Sequence, residues 1–421
     1  MVLMRITFIS SKVTRNPTIG KVTLEAVSGN QFLAPTNTPV LREEIYKMIN
    51  WWLDKGIAGF RIDAIINIKK DLEWRSLPSD RDNGLVPVPE SLVNAQPIEP
   101  FLQELKERTF AKYNAFTVGE VFNETDEELH FFIGKDGVFS SIFDFKQTML
   151  GQEGKGWFDH ALPTADELKE SIFQAHERAD SIGVLSTIIE NHDEPRGVSH
   201  YIAEGPVNDT SKKSLGTIQV LRKGIPFIYQ GQEIGMENQV FESVEDFDDI
   251  ATINGYHVAK EAGLSEEEAL AAIAKYSRDN ARTPMQWSAE PGLGFSDGPA
   301  WLISPKPDVA INVEDQEKDP NSILNYYRQL TALYRHPLYG NTIRFGDMIP
   351  AYRDRENIIA FERRGDKRLL VVSNFQNRQA TLELPAPIKT VVLNNTAGLF
   401  QEGDQVLELA PYQTVVLELV E

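Results

Sequence analysis

The sequence predicts an α/β domain built on a parallel sheet, followed by an all-β domain. Three observations carry that expectation. Apolar strand-like runs alternate with amphipathic helical runs from Leu41 to His336, the pattern of strand–helix units. Three of the apolar runs end in carboxylates, at Asp63, Glu120 and Asp193. Beyond about Gly340 the helical period gives way to short alternating runs rich in β-formers, as in a sandwich.

The elements follow in order. Arg5–Ile9 and Lys21–Leu24 alternate and allow two short strands, while Gly29 to Pro39 is a Pro/Thr/Asn-rich loop. Thr38 and Pro39 offer an N-cap and a first-turn proline for an amphipathic helix over Leu41–Lys55, which Gly56 can end. Gly59–Ile65 (GFRIDAI) reads as a buried strand. An irregular tract, Lys69–Pro97, precedes a helix over Pro100–Tyr113 and the strand Phe116–Val121. A short helix is expected over Asp126–Ile133 and a strand within Gly137–Phe145. Thr164–Ser181 is a helix with Thr164 as N-cap and acids in its first turn. The strand ending at Asp193, a helix over Ser211–Lys223 and a strand with its turn over Ile225–Gly231 come next. An insertion over Met236–Leu293 holds an acidic helix, Ser265–Lys275, and Asn321–His336 is a last amphipathic helix. The expected domains are a poorly patterned segment 1–40, an α/β domain 41–338 with its insertion at 236–293, and a β domain 339–421.

The chain has 421 residues and a formal net charge of −20. Its length suggests about two or three domains. The charge argues against nucleic acid or an anionic membrane as partner and suits a neutral substrate. There is no cysteine, hence no disulfide and no thiolate nucleophile or metal ligand. No apolar run approaches the roughly 18 residues of a membrane span, and MVLMRITFISSK lacks the features of a signal peptide. A cytoplasmic location is the expectation. Nothing in the sequence sets the oligomeric state.

Arg61 and Asp63 lie two residues apart in an apolar strand, so they share a face. Two charges on one buried face need a reason. They form either a structural ion pair or a carboxylate held ionised at the end of a barrel strand, where catalytic groups of such barrels sit. GFRIDAI, TVGEV and ENHDEPR together resemble three short conserved regions of the α-amylase family, glycoside hydrolase family 13. YQGQEIGM at Tyr229–Met236 resembles the family's last barrel strand and loop. RDNARTPMQW at Arg278–Trp287 resembles the α-glucosidase and oligo-1,6-glucosidase branch.

The resemblance implies a partial (β/α)8 barrel, about the last five units, and a C-terminal sandwich. It implies a retaining exo-α-glucosidase acting on short oligosaccharides, with no cofactor and no metal. Asp63 would be the nucleophile, Glu120 the general acid/base and Asp193 the transition-state stabiliser. Arg61 would keep Asp63 ionised, and the apolar strand before Glu120 would raise its pKa. His192 is either a partner of sugar hydroxyls or a buried hydrogen-bonded histidine. Arg196 would orient His192 or Asp193. Arg282 would hold the glucose or make a loop salt bridge. Trp287 and Phe295 are subsite walls or, as the preferred reading, core. Ala64, after the nucleophile, tilts the linkage toward α-1,4 over α-1,6. Alternatives are a trehalose-phosphate hydrolase or sucrose/trehalose isomerase of the same family, or a non-catalytic sugar-binding relative.

One departure from the family stands out. Its first conserved region, an Asp followed by Asn-His, is expected upstream, yet no histidine precedes His130. The segment before Asp63 is too short for three full units. The strands carrying Asp63 and Tyr229 are therefore expected to be open edges, and the chain alone is expected to be inactive or nearly so.

Overall fold

The computed structural model describes residues 5–9, 23–25, 39–65, 76–78, 97–152, 156–303, 305, 311–398 and 400–420. Of the irregular tract expected over 69–97, all but 76–78 and 97 lies outside the described residues, as does the Thr38 cap. The chain divides into two compact units, Met1–Phe143 with Arg178–Ser186, and Asp144–Glu177 with Thr187–Glu421.

In the first unit, β1 (Arg5–Ile9) pairs antiparallel with β2 (Thr23–Glu25) and with β3 (Gly59–Ile62). The strand before Asp63 is therefore not an open edge: Ile6 lies opposite Ile62 and Ile9 opposite Gly59. The sequence expectation failed there because alternation in Arg5–Ile9 indicates a strand but not which strand it pairs with. From β3 the sheet runs parallel through β4 (Phe116–Gly119) and β5 (Ser141–Phe143) to β6 (Leu185–Thr187). A Cβ on Gly59 would come within 1.8 Å of the Phe116 carbonyl oxygen, so this pairing tolerates only glycine there.

The helix expected over Leu41–Lys55 spans Pro39–Asp54 and buries Tyr46, Ile49 and Leu53. Gly56 follows at φ +89°, the left-handed conformation that ends helices. Helix Glu99–Arg108 buries Phe101, Leu102 and Leu105. These side chains join Phe60 and Ile62 of β3 in one core. The single helix expected over 100–113 is broken at Thr109, and Phe110–Tyr113 forms a separate turn of helix. The Asp126–Ile133 helix is capped by a Thr125/Glu128 box.

In the second unit the Phe227 N–H donates to Thr187 O at 2.9 Å. The strand expected over Ile225–Gly231 is only β7 (Ile225–Pro226). Pro226 removes a ladder donor, and Gly231 turns the chain at φ +90°. Helices Asp209–Leu221 and Ile323–Leu333 pack beside a five-stranded antiparallel sheet. Its order is β12 (Ile388–Asn394), β14 (Thr414–Leu419), β10 (Arg368–Asn374), β9 (Ile358–Arg364), β8 (Asp347–Ala351). β11 (Ala380–Glu383) and β13 (Val406–Leu409) form a second, two-stranded sheet.

Period two divides this domain's side chains. Phe361, Leu369, Val371 and Val416 face the helices. Ala360, Leu370, Val372, Val415 and Leu417 face Leu382, Leu407 and Leu409 of the second sheet. That is the alternation read from the sequence, realised as two cores on the two faces of one sheet. Among the described residues, no helix is long and apolar enough to cross a membrane.

Candidate active site

The first unit brings Arg61, Asp63 and Glu120 together. Arg61 stands in β3, and its Nη1 donates to Asp63 Oδ1 at 2.6 Å while its Nη2 lies 2.9 Å from Glu120 Oε1. Glu120 follows directly on β4 and is buried. Its backbone continues the parallel ladder, with its N–H donating to Ile62 O at 2.8 Å and its carbonyl accepting from Ile65 at 3.1 Å. Its Oε2 accepts the Ala64 N–H at 3.0 Å. To present that N–H, Ala64 turns to φ +48°, a left-handed conformation that L-residues rarely adopt.

One guanidinium thus serves two carboxylates. Burial pushes the Glu120 carboxyl up to about 8; the Asp63 hydrogen bond adds to the rise, and Arg61 only partly opposes it. The rise favours the protonated form of Glu120. The Phe143 ring centroid lies 5.8 Å from the Arg61 guanidinium carbon.

The second unit gathers a different set around Asp193. Its Oδ1 accepts from Arg278 Nη1 and Arg282 Nη2, both at 2.9 Å, and its Oδ2 lies 3.1 Å from His192 Nε2. Arg282 Nε also donates to the His192 carbonyl at 2.8 Å. Burial pushes the Asp193 carboxyl up, but the His192 hydrogen bond and the charges of His192, Arg278 and Arg282 outweigh it and hold the group well below the carboxylate range. Next to it, burial and then the Asp193 charge push Glu194 up to about 7.

Arg278 is the residue that sequence reasoning missed. It stands four positions before Arg282 on the short helix Asp279–Arg282 and its N-cap, a spacing that places two side chains on one helical face. That signal was legible; the target of the pair was not.

A family model described as Alpha amylase, catalytic domain matches residues 23–338. The chain belongs to this family. A second model, the Alpha-amylase SusG C-terminal domain, matches residues 358–416, within the β domain. The chain is 39% identical over 297 residues to the probable oligo-1,6-glucosidase 3 of Bacillus subtilis, a match covering 70% of this chain and 52% of that protein. It is 35% identical over 415 residues to the oligo-1,6-glucosidase of Halalkalibacterium halodurans, covering 97% and 73%. Isomaltulose synthase from Klebsiella sp. LX3 superposes with a TM-score of 0.83 at 28% identity, covering 91% of this chain and 69% of that one. The chain thus spans about half of the first relative and under three-quarters of the others.

Within this alpha-amylase-family chain, Arg196 departs from expectation. Its Nη1 lies 2.9 Å from Glu190 Oε1 and donates to Gln230 O at 2.8 Å. Glu190 in turn accepts the Gly197 N–H at 2.6 Å. Both side chains are almost wholly buried, so Arg196 braces the loop after the Asp193 strand instead of orienting His192 or Asp193. A guanidinium and a carboxylate six positions apart pair in the core, which spacing alone did not reveal. Trp287 and Phe295 are also corrected: they are 49% and 57% exposed, and not core. Arg282 makes the salt bridge, with Asp193 itself as partner.

Proposed function

We propose that the chain is a retaining α-glucosidase-type hydrolase acting on short α-linked glucosides. The observation that carries this is the sharing of Arg61 between Asp63 and Glu120. With one cation for two carboxylates, one group ionises and the other keeps its proton. That division supplies the nucleophile and the acid of glycoside cleavage. Asp63 attacks the anomeric carbon while Glu120 protonates the departing oxygen. A glucosyl ester on Asp63 results. Glu120, now a carboxylate, takes a proton from water, and the water oxygen displaces Asp63. Contact of both groups with one guanidinium supports the short spacing of retaining enzymes, roughly 5 to 5.5 Å, over the wider spacing of inverting ones.

In the same reading Asp193, held ionised by Arg278, Arg282 and His192, accepts hydrogen bonds from sugar hydroxyls and stabilises positive charge developing on the sugar ring. Two of the three similar proteins named above are an oligo-1,6-glucosidase and a probable one, which favours α-1,6-linked substrates. Ala64 loses weight as a mark of α-1,4 preference. Its left-handed backbone disfavours a β-branched residue whatever the linkage.

The test is hydrolysis of p-nitrophenyl α-glucoside beside an Asp63→Asn control. Whatever turnover the unaltered chain shows, small on the expectation from its sequence, should fall by about a thousandfold or more in the control for loss of a nucleophile. Turnover equal in both sinks the assignment.

A further inference from the structure

Away from the carboxylates, Trp301 is 66% exposed. Its indole N–H donates to Asp248 Oδ2 at 3.0 Å, so the ring is fixed in orientation although most of it meets solvent. A large, rigid aromatic surface that is already ordered loses little further freedom on binding. Its anchor is ordered as well. The backbone N–H groups of Asp248 and Asp249 both donate to Asp279 Oδ2 at 2.9 Å. Asp249 Oδ1 lies 3.3 Å from Arg278 Nε, and Arg278 Nη1 lies 2.9 Å from Asp193 Oδ1. An unbroken series of charged and hydrogen-bonded groups therefore joins Asp193 to this exposed indole.

We propose that Trp301 is a stacking platform for a sugar ring of an α-linked gluco-oligosaccharide, at a subsite beyond the glucose unit that Asp193 holds. The ligand class rests on the glycosidase reading above. The chemistry suits it. The C–H face of a pyranose is apolar and flat enough to lie on an indole. The hydroxyls at its rim need acceptors, and a carboxylate oxygen such as those of Asp248 accepts more than one hydrogen bond. Sites for such ligands combine aromatic walls with a few placed polar groups. A platform at this position discriminates by chain length: it has no role for a disaccharide and a role for longer substrates.

The test uses the full chain with Asp63→Asn, which holds substrate without cleaving it, and measures binding by calorimetry. Adding Trp301→Ala should weaken maltotetraose and isomaltotetraose roughly threefold to tenfold, the worth of one aromatic contact, and leave maltose and isomaltose unchanged. Trp301→Phe should recover most of the loss. Equal affinities in Trp301→Ala and its parent, equal weakening at every length, or absence of tetrasaccharide binding would overturn the platform. So would a concentration-dependent self-association, seen by sedimentation, that Trp301→Ala abolishes. Hydrolysis of p-nitrophenyl α-glucoside by the unaltered chain separates the two ideas. No hydrolysis with length-dependent binding sinks only the glycosidase reading, and hydrolysis with length-independent binding sinks only the platform.

Discussion

The two carboxylate clusters solve opposite electrostatic problems with the same residue types. In the first unit one arginine faces two carboxylates, and Glu120 keeps its proton. In the second, two arginines and a histidine face Asp193, which stays ionised although partly buried. Burial acts in the same direction on both groups. The count of cations per carboxylate decides the outcome. A strand end that carries an acid thus says little about its protonation state until its neighbours are known.

Stripping cations from Asp193 should have the largest effect. Arg278→Ala with Arg282→Ala should lower kcat/KM by about a hundredfold, as loss of two charge-assisted bonds to a working carboxylate does. The acid limb of the pH–rate profile should also move to higher pH, because Asp193 then titrates nearer the ordinary carboxylate range. An unmoved acid limb would mean that the cations do not set its charge.

A second measurement concerns Glu120. Its native pKa is raised from 4.5 to about 8, so the folded state binds its proton more tightly than the unfolded chain. The resulting stability is fully present below pH 4.5 and is lost as pH rises through about 8. Chemical denaturation of Glu120→Gln between pH 5 and 9 should show less of this decline than the unaltered chain. Parallel curves would place the proton elsewhere.

The smallest expected effect is at Ala64. Replacement by valine at φ +48° should cost roughly 1 to 2 kcal/mol, seen as a lowered midpoint in thermal unfolding. Ala64→Gly should hold or raise the midpoint, since glycine adopts this conformation without strain. A valine variant as stable as the parent would remove the backbone explanation for the small residue.

Much of the fold was legible because its signals are local. Amphipathic period, the Thr125/Glu128 and Ser265/Glu268 capping boxes, Gly56 as a helix stop and the alternation of the C-terminal strands all act within a few residues. Arg61 and Asp63 were legible as partners for the same reason, since period two alone puts them on one face. Arg196 and Glu190 were also near neighbours, but nothing local says that the arginine turns into the core.

The order of elements, the residue types at the three strand ends and the family they resemble can all be read from the chain as written. Those follow from short-range periodicity and from motifs. The folded chain added that β1 covers the edge of β3, that Arg278 reaches Asp193 across 85 positions, and that Trp287, Phe295 and Trp301 stay exposed. Each depends on which distant groups share a small desolvated volume. Coulomb energy there is set by distance and by burial together, and neither is encoded in any one stretch of chain.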